Sequence, residues 1–200
     1  MNTNNIEKQN SHLDLTDPDV RNVFALYENH AEVPYISPQR NLHEWVNLVN
    51  IGSENLVPKR NMIRFEEDVL PGHLILLWRI NFGTFTTISG YPKYFEYDYG
   101  INADQALKEL IENGYASQLS AMDSLPYLNA AQLKAILKQF GLKGYSKLNK
   151  EGLMELARAE LMEEQISPHF SIRGFEITPA GKELLAKYPE PVDRHPKKKY

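Results

Sequence analysis

The sequence predicts an α+β protein, in which a small mixed domain of helices and antiparallel strands precedes a helix–extended-loop–helix module and a C-terminal strand and helix. Apolar residues recur at helical spacing in several segments, and most of these begin at an Asn, Asp or Thr that can cap a helix. Runs rich in β-branched and aromatic residues lie between residues 60 and 100, and such runs favour strands.

The bulk composition is that of an ordinary soluble globular protein, with 42% hydrophobic and 24% charged residues. The net charge of −4 argues against a protein coated with positive charge, so any nucleic-acid site must be a local patch. The absence of cysteine excludes disulfides and thiolate metal sites. No apolar run is long enough to span a membrane. We therefore expect a cytoplasmic protein with no membrane partner.

The first part of the chain, residues 15–116, is predicted to be the mixed domain. Residues 1–14 before it are polar and patternless, and we expect them to be disordered. Helices are predicted at three places, each with a proline or a capping residue at its start: residues 18–28, residues 38–50, and the segment from Asn102 to Gly114.

Residues 60–100 are predicted to form the antiparallel sheet. The strands are expected at 62–65, 73–80, 84–88 and 94–99. The run from His73 to Ile80 is largely apolar, and its length fits a buried strand better than a helix. Eight aromatic residues lie between Trp78 and Tyr99. Aromatic rings on a sheet can stack on single-stranded bases, but core and cross-strand packing is their more common role and the one favoured here.

Residues 120–165 are predicted to be a helical hairpin. Apolar stripes at helical spacing mark its two helices: Leu133, Ile136, Leu137 and Phe140 in the first, and Leu153, Leu156, Ala157 and Leu161 in the second. Asn129 and Gln132 have the spacing of a reciprocal cap. Gly141 supplies the left-handed residue that ends the first helix.

Five lysines surround this hairpin, in a stretch that has no acidic residue between Asp123 and Glu151: Lys134, Lys138, Lys143, Lys147 and Lys150. The first two are four residues apart and share a helix face. The other three flank the loop and the start of the second helix, where free N–H groups favour anions. The stretch therefore predicts a phosphate-binding surface for the backbone of DNA or RNA.

The run Gly141-Leu-Lys-Gly-Tyr-Ser-Lys-Leu-Asn-Lys150, followed by Leu153, resembles the N-terminal helical domain of transcription termination factor Rho, a helix–extended-loop–helix fold like the SAP and LEM domains. The resemblance extends over residues 128–161 and implies that Lys143, Lys147 and Lys150 face nucleic acid while Tyr145 packs the loop. Gly152 departs from the family pattern. Glycine within a helix costs ~1 kcal/mol relative to alanine, so we expect this helix to fray or begin late. Nothing in the chain resembles the RNA-binding barrel or the ATPase of Rho.

The remaining segments are predicted to connect and close the fold. Residues 117–127 are expected to be a linker, and residues 166–190 a strand and a helix that pack back on the hairpin. Residues 191–200 form a basic tail, in which Arg194 and Lys197–Lys199 can add phosphate contacts.

No catalytic constellation is found, so we expect no enzyme activity and no cofactor. The six histidines are scattered without metal-ligand spacing. A metal-dependent nuclease would need carboxylates gathered from several segments, for which the candidates are Glu66, Glu67, Asp68, Glu96 and Asp98. Solvated strand ends are the interpretation that the sequence favours.

The sequence thus favours a non-enzymatic nucleic-acid-binding protein of a bacterium or a phage. The alternative is a protein-interaction or structural module, such as a phage assembly or inhibitor protein, which has no nucleic-acid ligand and binds a protein partner through residues 15–116. This alternative rests on the net negative charge and on the aromatic residues of the first part of the chain.

Overall fold

The computed structural model describes residues 9–196 and has the predicted α+β composition, with short helices and a small two-stranded sheet. The helices are α1 Pro18–Leu26, α2 Leu42–Asn50, α3 Pro71–Ile80, α4 Tyr94–Tyr97, α5 Ala103–Glu112, α6 Ala130–Gln139, α7 Lys150–Glu160, α8 Glu163–Ile166, α9 Pro179–Lys187 and α10 Glu190–Arg194. The strands are β1 Ala116–Gln118 and β2 Phe175–Ile177, and short 3-10 turns lie at Lys59–Met62, Leu125–Tyr127, Tyr145–Lys147 and Ser167–His169.

The apolar run from His73 to Ile80 belongs to a helix, so the predicted strand is wrong. Eight of the ten residues of α3 are buried, because α5, α9, α10 and β2 pack around it. A helix enclosed on all sides needs no polar face and therefore shows no helical period in its sequence. Pro71 occupies its first turn, where the missing N–H costs no hydrogen bond.

The other strands predicted between residues 60 and 100 are also absent. Residues 94–97 form the one-turn helix α4, and the 3-10 turn ends at Met62. Within residues 84–88, only Thr86 forms a bridge, which pairs it with Gly174. The core role favoured for the aromatic residues holds for Phe85, Phe95 and Tyr99, which are buried, but not for Phe82, which is 58% exposed.

The sheet lies elsewhere, because β1 pairs with β2 in antiparallel register, with Ala116 opposite Ile177 and Gln118 opposite Phe175. Strand β2 falls within the predicted C-terminal strand, whereas β1 extends into residues 117–127, which were expected to be a linker. The same segment continues into a buried turn, since Ala121, Ser124 and Leu125 are fully enclosed.

Two hydrophobic clusters form the interior. The larger is built around α3, and the smaller belongs to residues 121–172 and contains the hairpin. The C-terminal strand and helix were predicted to pack on the hairpin. They pack instead on the larger cluster, to which Phe175 and Leu184 belong. The two clusters meet at residues 171–175, where the Gly174 N–H donates to Ser124 Oγ at 3.0 Å.

Residues 9–14 are not disordered as predicted, because they pack along residues 34–36. The Asn10 side chain donates to the Pro34 carbonyl at 2.9 Å and accepts from the Ile36 N–H at 3.0 Å. The rest of the predicted leader, residues 1–8, lies outside the described residues. Helix α2 begins later than predicted because Asn41, and not Ser37, caps it by accepting from the Glu44 N–H.

Candidate nucleic-acid interface

The first helix of the hairpin begins at the reciprocal cap that the sequence predicts. The Asn129 side chain accepts from the Gln132 N–H at 2.9 Å, and the Gln132 side chain accepts from the Asn129 N–H at 2.8 Å. Each bond satisfies a backbone donor that the helix itself leaves without a partner. At the other end of α6, Gly141 has a φ of 70°, which is the left-handed conformation expected there.

The connection to the second helix is short and turns twice. Gly144 is again left-handed, with a φ of 83°, and the 3-10 turn Tyr145–Lys147 follows it. Asn149 then caps α7, because its side chain accepts from the Gly152 N–H at 2.9 Å. Helix α7 begins at Lys150, two residues before Gly152, so the glycine does not delay the start of the helix as predicted.

A small apolar core holds the two helices against each other. Leu133, Leu137, Leu153 and Ala157 are at most 1% exposed. Burying a leucine side chain contributes about 1.5–3 kcal/mol, so these contacts stabilise helices that would be too short to persist alone. Tyr145 is half-buried against the same core, as the family resemblance implies.

Two of the five predicted lysines take part in the fold of the hairpin. Lys134 Nζ donates to the Ser146 carbonyl at 3.1 Å and so ties α6 to the 3-10 turn beside Lys147. Lys150 Nζ donates to the Pro126 carbonyl and ties the start of α7 to the preceding turn. These two ammonium groups are therefore partly engaged by the protein.

The other three predicted lysines are free. Lys138, Lys143 and Lys147 are exposed and make no hydrogen bond or ion pair with any residue from 9 to 196. Lys138 lies near the end of α6, Lys143 in the connection and Lys147 at the end of the 3-10 turn. The chain therefore presents three uncompensated positive charges on and around one rigid loop.

Acidic side chains border this lysine surface. Glu151 is exposed in the first turn of α7, next to Lys150. Glu163 is occupied elsewhere, because its carboxylate accepts from the N–H groups of Ala121 and Met122 at 2.8 and 2.7 Å. The positive surface is consequently local, as the net charge of the chain requires.

The acidic residues considered for a metal site do not gather. Glu66 and Glu67 bind Lys187 Nζ at 2.8 and 2.7 Å, whereas Glu96 forms an ion pair with Arg40. Over the described part of the chain, no group of three or more acidic or histidine side chains is arranged to bind a metal ion.

Sequence reasoning missed two side-chain contacts that join distant segments: the ion pair of Glu32 with Arg64 and the hydrogen bond between His73 and Glu109. The Glu32 carboxylate accepts two hydrogen bonds from Arg64, and Glu109 accepts from His73 Nε2 at 2.9 Å. This last bond is the main cause that lowers the pKa of Glu109. His73 Nδ1 accepts from the Leu70 N–H, so both ring nitrogens are used and neither is free for acid–base chemistry.

Comparisons of the chain with models of protein families, with curated proteins and with solved structures found no match. The resemblance of residues 128–161 to the Rho N-terminal domain therefore stays a prediction. Between residues 9 and 196, no helix combines the length and the apolar character needed to cross a membrane.

Proposed function

We propose that this protein binds nucleic acid without catalysing a reaction, in the cytoplasm, and that its hairpin contacts the phosphate backbone. The observation that carries the proposal is the set of three exposed, uncompensated lysines, Lys138, Lys143 and Lys147, around one loop. Free ammonium groups can neutralise phosphates and release condensed counterions, which is the main source of backbone affinity. Lys134 and Lys150 lie at the edges of this surface and add positive potential.

The rigidity of the loop supports the proposal. Two left-handed glycines, the Asn149 cap and the bond from Lys134 to the Ser146 carbonyl fix the backbone between the helices. A preformed site loses less conformational entropy when it binds than a flexible one. The ligand class is phosphate backbone, and the proposal covers DNA and RNA alike.

The test is fluorescence anisotropy of labelled duplex DNA, single-stranded DNA and RNA, at a low and a physiological salt concentration. The variant Lys138→Glu/Lys143→Glu/Lys147→Glu is compared with Lys59→Glu/Lys108→Glu/Lys182→Glu, whose lysines are exposed but lie outside the hairpin. Both variants change the net charge equally. We expect the first to lose affinity at least about tenfold and the second to lose little. Unchanged affinity of a folded first variant, or an equal loss in both, would contradict the proposal.

A protein-interaction module is the second candidate, and exposed apolar side chains favour it. Phe82 and Ile88, on the loop that follows α3, are 58% and 69% exposed. Exposed apolar side chains mark a protein-binding site where they lie together in one patch. Salt distinguishes the two functions, because a phosphate contact weakens steeply as salt rises and an apolar contact does not.

A further inference from the structure

A cleft of about 470 Å³ is lined by residues between Tyr35 and Asp104, and none of its lining residues belongs to the hairpin. Its wall is formed by residues 35–40, by residues 91–97 and by the start of α5. The size is within the range of about 300–1,000 Å³ that is usual for sites that bind small molecules. Its lining contains aromatic rings together with positively and negatively charged side chains.

Arg40 is the most deeply placed charge of this cleft. Its side chain is only 5% exposed and forms an ion pair with Glu96. The guanidinium lies 4.1 Å from the ring centre of Tyr97 and 5.0 Å from that of Trp45. Arg40 Nε is buried and finds no hydrogen-bond acceptor in the described chain. A buried donor without an acceptor is costly, so Arg40 is a lining residue of this cleft whose polar atoms the described chain does not fully satisfy.

Two further charges line the cleft without neutralising each other. Lys93 and Asp104 are exposed, and neither forms an ion pair with the other or with a third residue in the described ranges. Burial of the Tyr91 phenol, reinforced by the negative charge of Asp104, raises the pKa of Tyr91 to about 12. The Tyr91 phenol therefore stays neutral throughout the physiological range.

We propose that this cleft binds a small zwitterion of the amino-acid class, with its carboxylate toward Lys93 and Arg40 and its ammonium group toward Asp104. A polyanion would be repelled by Glu96 and Asp104, and a simple cation by Arg40 and Lys93. A neutral molecule would leave both exposed charges of the cleft unmatched. Tyr35, Tyr91 and Phe95 form an aromatic lining, which favours an aromatic side chain on the ligand.

The proposal is independent of the lysine surface, and its test uses other residues. The probe is L-phenylalanine, titrated into the full chain by calorimetry. N-acetyl-L-phenylalanine lacks the ammonium charge, and L-phenylalaninamide lacks the carboxylate. We expect each derivative to bind about tenfold more weakly than the free amino acid, because each loses one charge pair.

The variants assign each charge to its partner. Asp104→Asn should weaken binding of the amino acid and of the amide, but it should not weaken binding of the N-acetyl derivative, which has no ammonium group to lose a partner. Lys93→Met should weaken binding of the amino acid and of the N-acetyl derivative, but it should not weaken binding of the amide, which has no carboxylate to lose a partner. Lys108→Met, which removes an exposed lysine outside the cleft, should change nothing. Absence of binding at about 10 mM probe, a concentration that detects even Kd values above 1 mM, would overturn the proposal, as would derivatives that bind as well as the amino acid.

Discussion

The imidazole of His195 lies against the phenol of Tyr99, with 2.8 Å between His195 Nδ1 and the Tyr99 oxygen. The ring of His195 also meets Trp78 and Tyr94 edge to face, with centroid separations of 5.6 and 4.9 Å. His195 directly follows the last residue of α10, and this helix packs against α3 in the larger core. His195 therefore fastens the last described turn of the chain to the central helix.

The His195 contact predicts a loss of stability in mild acid. Burial lowers the pKa of His195, with Arg79 acting in the same direction and Asp98 against it. A lowered pKa means that the unfolded chain binds the proton more readily than the folded one. The contribution is therefore complete above the unfolded value, near pH 6.5, and is lost as the pH falls from there toward the folded pKa.

The measurement is the free energy of unfolding in urea at pH 7.5 and at pH 5.5. Wild type should lose more stability between these values than His195→Gln, in which residue 195 no longer titrates while the other histidines are unchanged. Asp98→Asn is the companion variant, because it removes the nearby carboxylate that favours the protonated ring. It should widen the difference between the two pH values. Equal pH dependence of wild type and His195→Gln would show that His195 does not contribute.

Two glycines at equivalent helix positions are predicted to respond to alanine in opposite directions. Gly152 and Gly181 both lie at the third helical residue, and both donate to the side chain that caps their helix. A methyl group on Gly152 would meet neighbours at 3.4 Å, which is ordinary contact, whereas on Gly181 it would overlap the Tyr115 carbonyl and lie 2.8 Å from Ile177.

Gly152→Ala should therefore stabilise the protein by about 0.5–1 kcal/mol, through helix propensity and reduced freedom of the unfolded chain. Gly181→Ala should destabilise it by about 1–3 kcal/mol through overpacking. Thermal or urea unfolding of the two variants beside wild type measures both effects. A loss of stability in Gly152→Ala would mean that the first turn of α7 is more crowded than its contacts indicate.

Several helix starts of this protein could be predicted from the sequence because caps are local. Asn102, Asn129 and Thr178 each accept from a backbone N–H two or three residues later, and these spacings are visible in the chain. The same reasoning located the hairpin and its five lysines. It could not separate the two lysines that bond to carbonyl groups from the three that are free, because Ser146 and Pro126 are brought to them by the fold.

The sheet could not be predicted for a similar reason. Strand β1 reads Ala-Ser-Gln and has no alternation of apolar residues, so only its pairing with β2, almost sixty residues later, defines it. Helix α3 was predicted as a strand for a different reason. Because nearly all of its residues are buried, its sequence lacks the alternation of apolar and polar residues, at helical spacing, by which a helix is recognised. The cleft that contains Arg40, Lys93 and Asp104 unites three segments and has no local motif.

The buried pair of Glu32 and Arg64 predicts a large loss of stability when one partner is removed. Their side chains are 6% and 19% exposed, and two hydrogen bonds of 2.9 and 3.1 Å join them. Glu32→Ala should destabilise the protein by about 3 kcal/mol, because the two hydrogen bonds are lost and the largely buried guanidinium keeps only the exposed Asp68, 3.5 Å from Arg64 Nε, as an acidic partner. In urea unfolding, the double variant Glu32→Leu/Arg64→Met should lose less stability than the sum of the losses in Glu32→Leu and in Arg64→Met. Additive losses would contradict a direct coupling.

The lysines of the hairpin that have no partner should affect binding and not stability, whereas a lysine that bonds to a carbonyl group should affect stability. Lys138→Ala/Lys143→Ala/Lys147→Ala removes only exposed charges that have no partner in the described structure, so unfolding should be nearly unchanged. Each phosphate contact contributes about 0.9 to the slope of log affinity against log salt for duplex DNA and about 0.7 for single strands. The slope should therefore become shallower by up to about 2.7 on duplex DNA if all three lysines contact phosphates.

Lys134→Met keeps the aliphatic stem of the side chain but removes the bond to the Ser146 carbonyl. It should lower the free energy of unfolding by about 0.5–1.5 kcal/mol. It should also change the salt slope by less than one third of the change in the triple variant, because the ammonium group of Lys134 is already bonded to the Ser146 carbonyl. The two measurements, unfolding and salt titration, are made on the same proteins. If Lys134→Met weakens binding as much as the triple variant while leaving stability unchanged, the division between structural and ligand-facing lysines is wrong, and Lys134 itself faces the phosphate backbone.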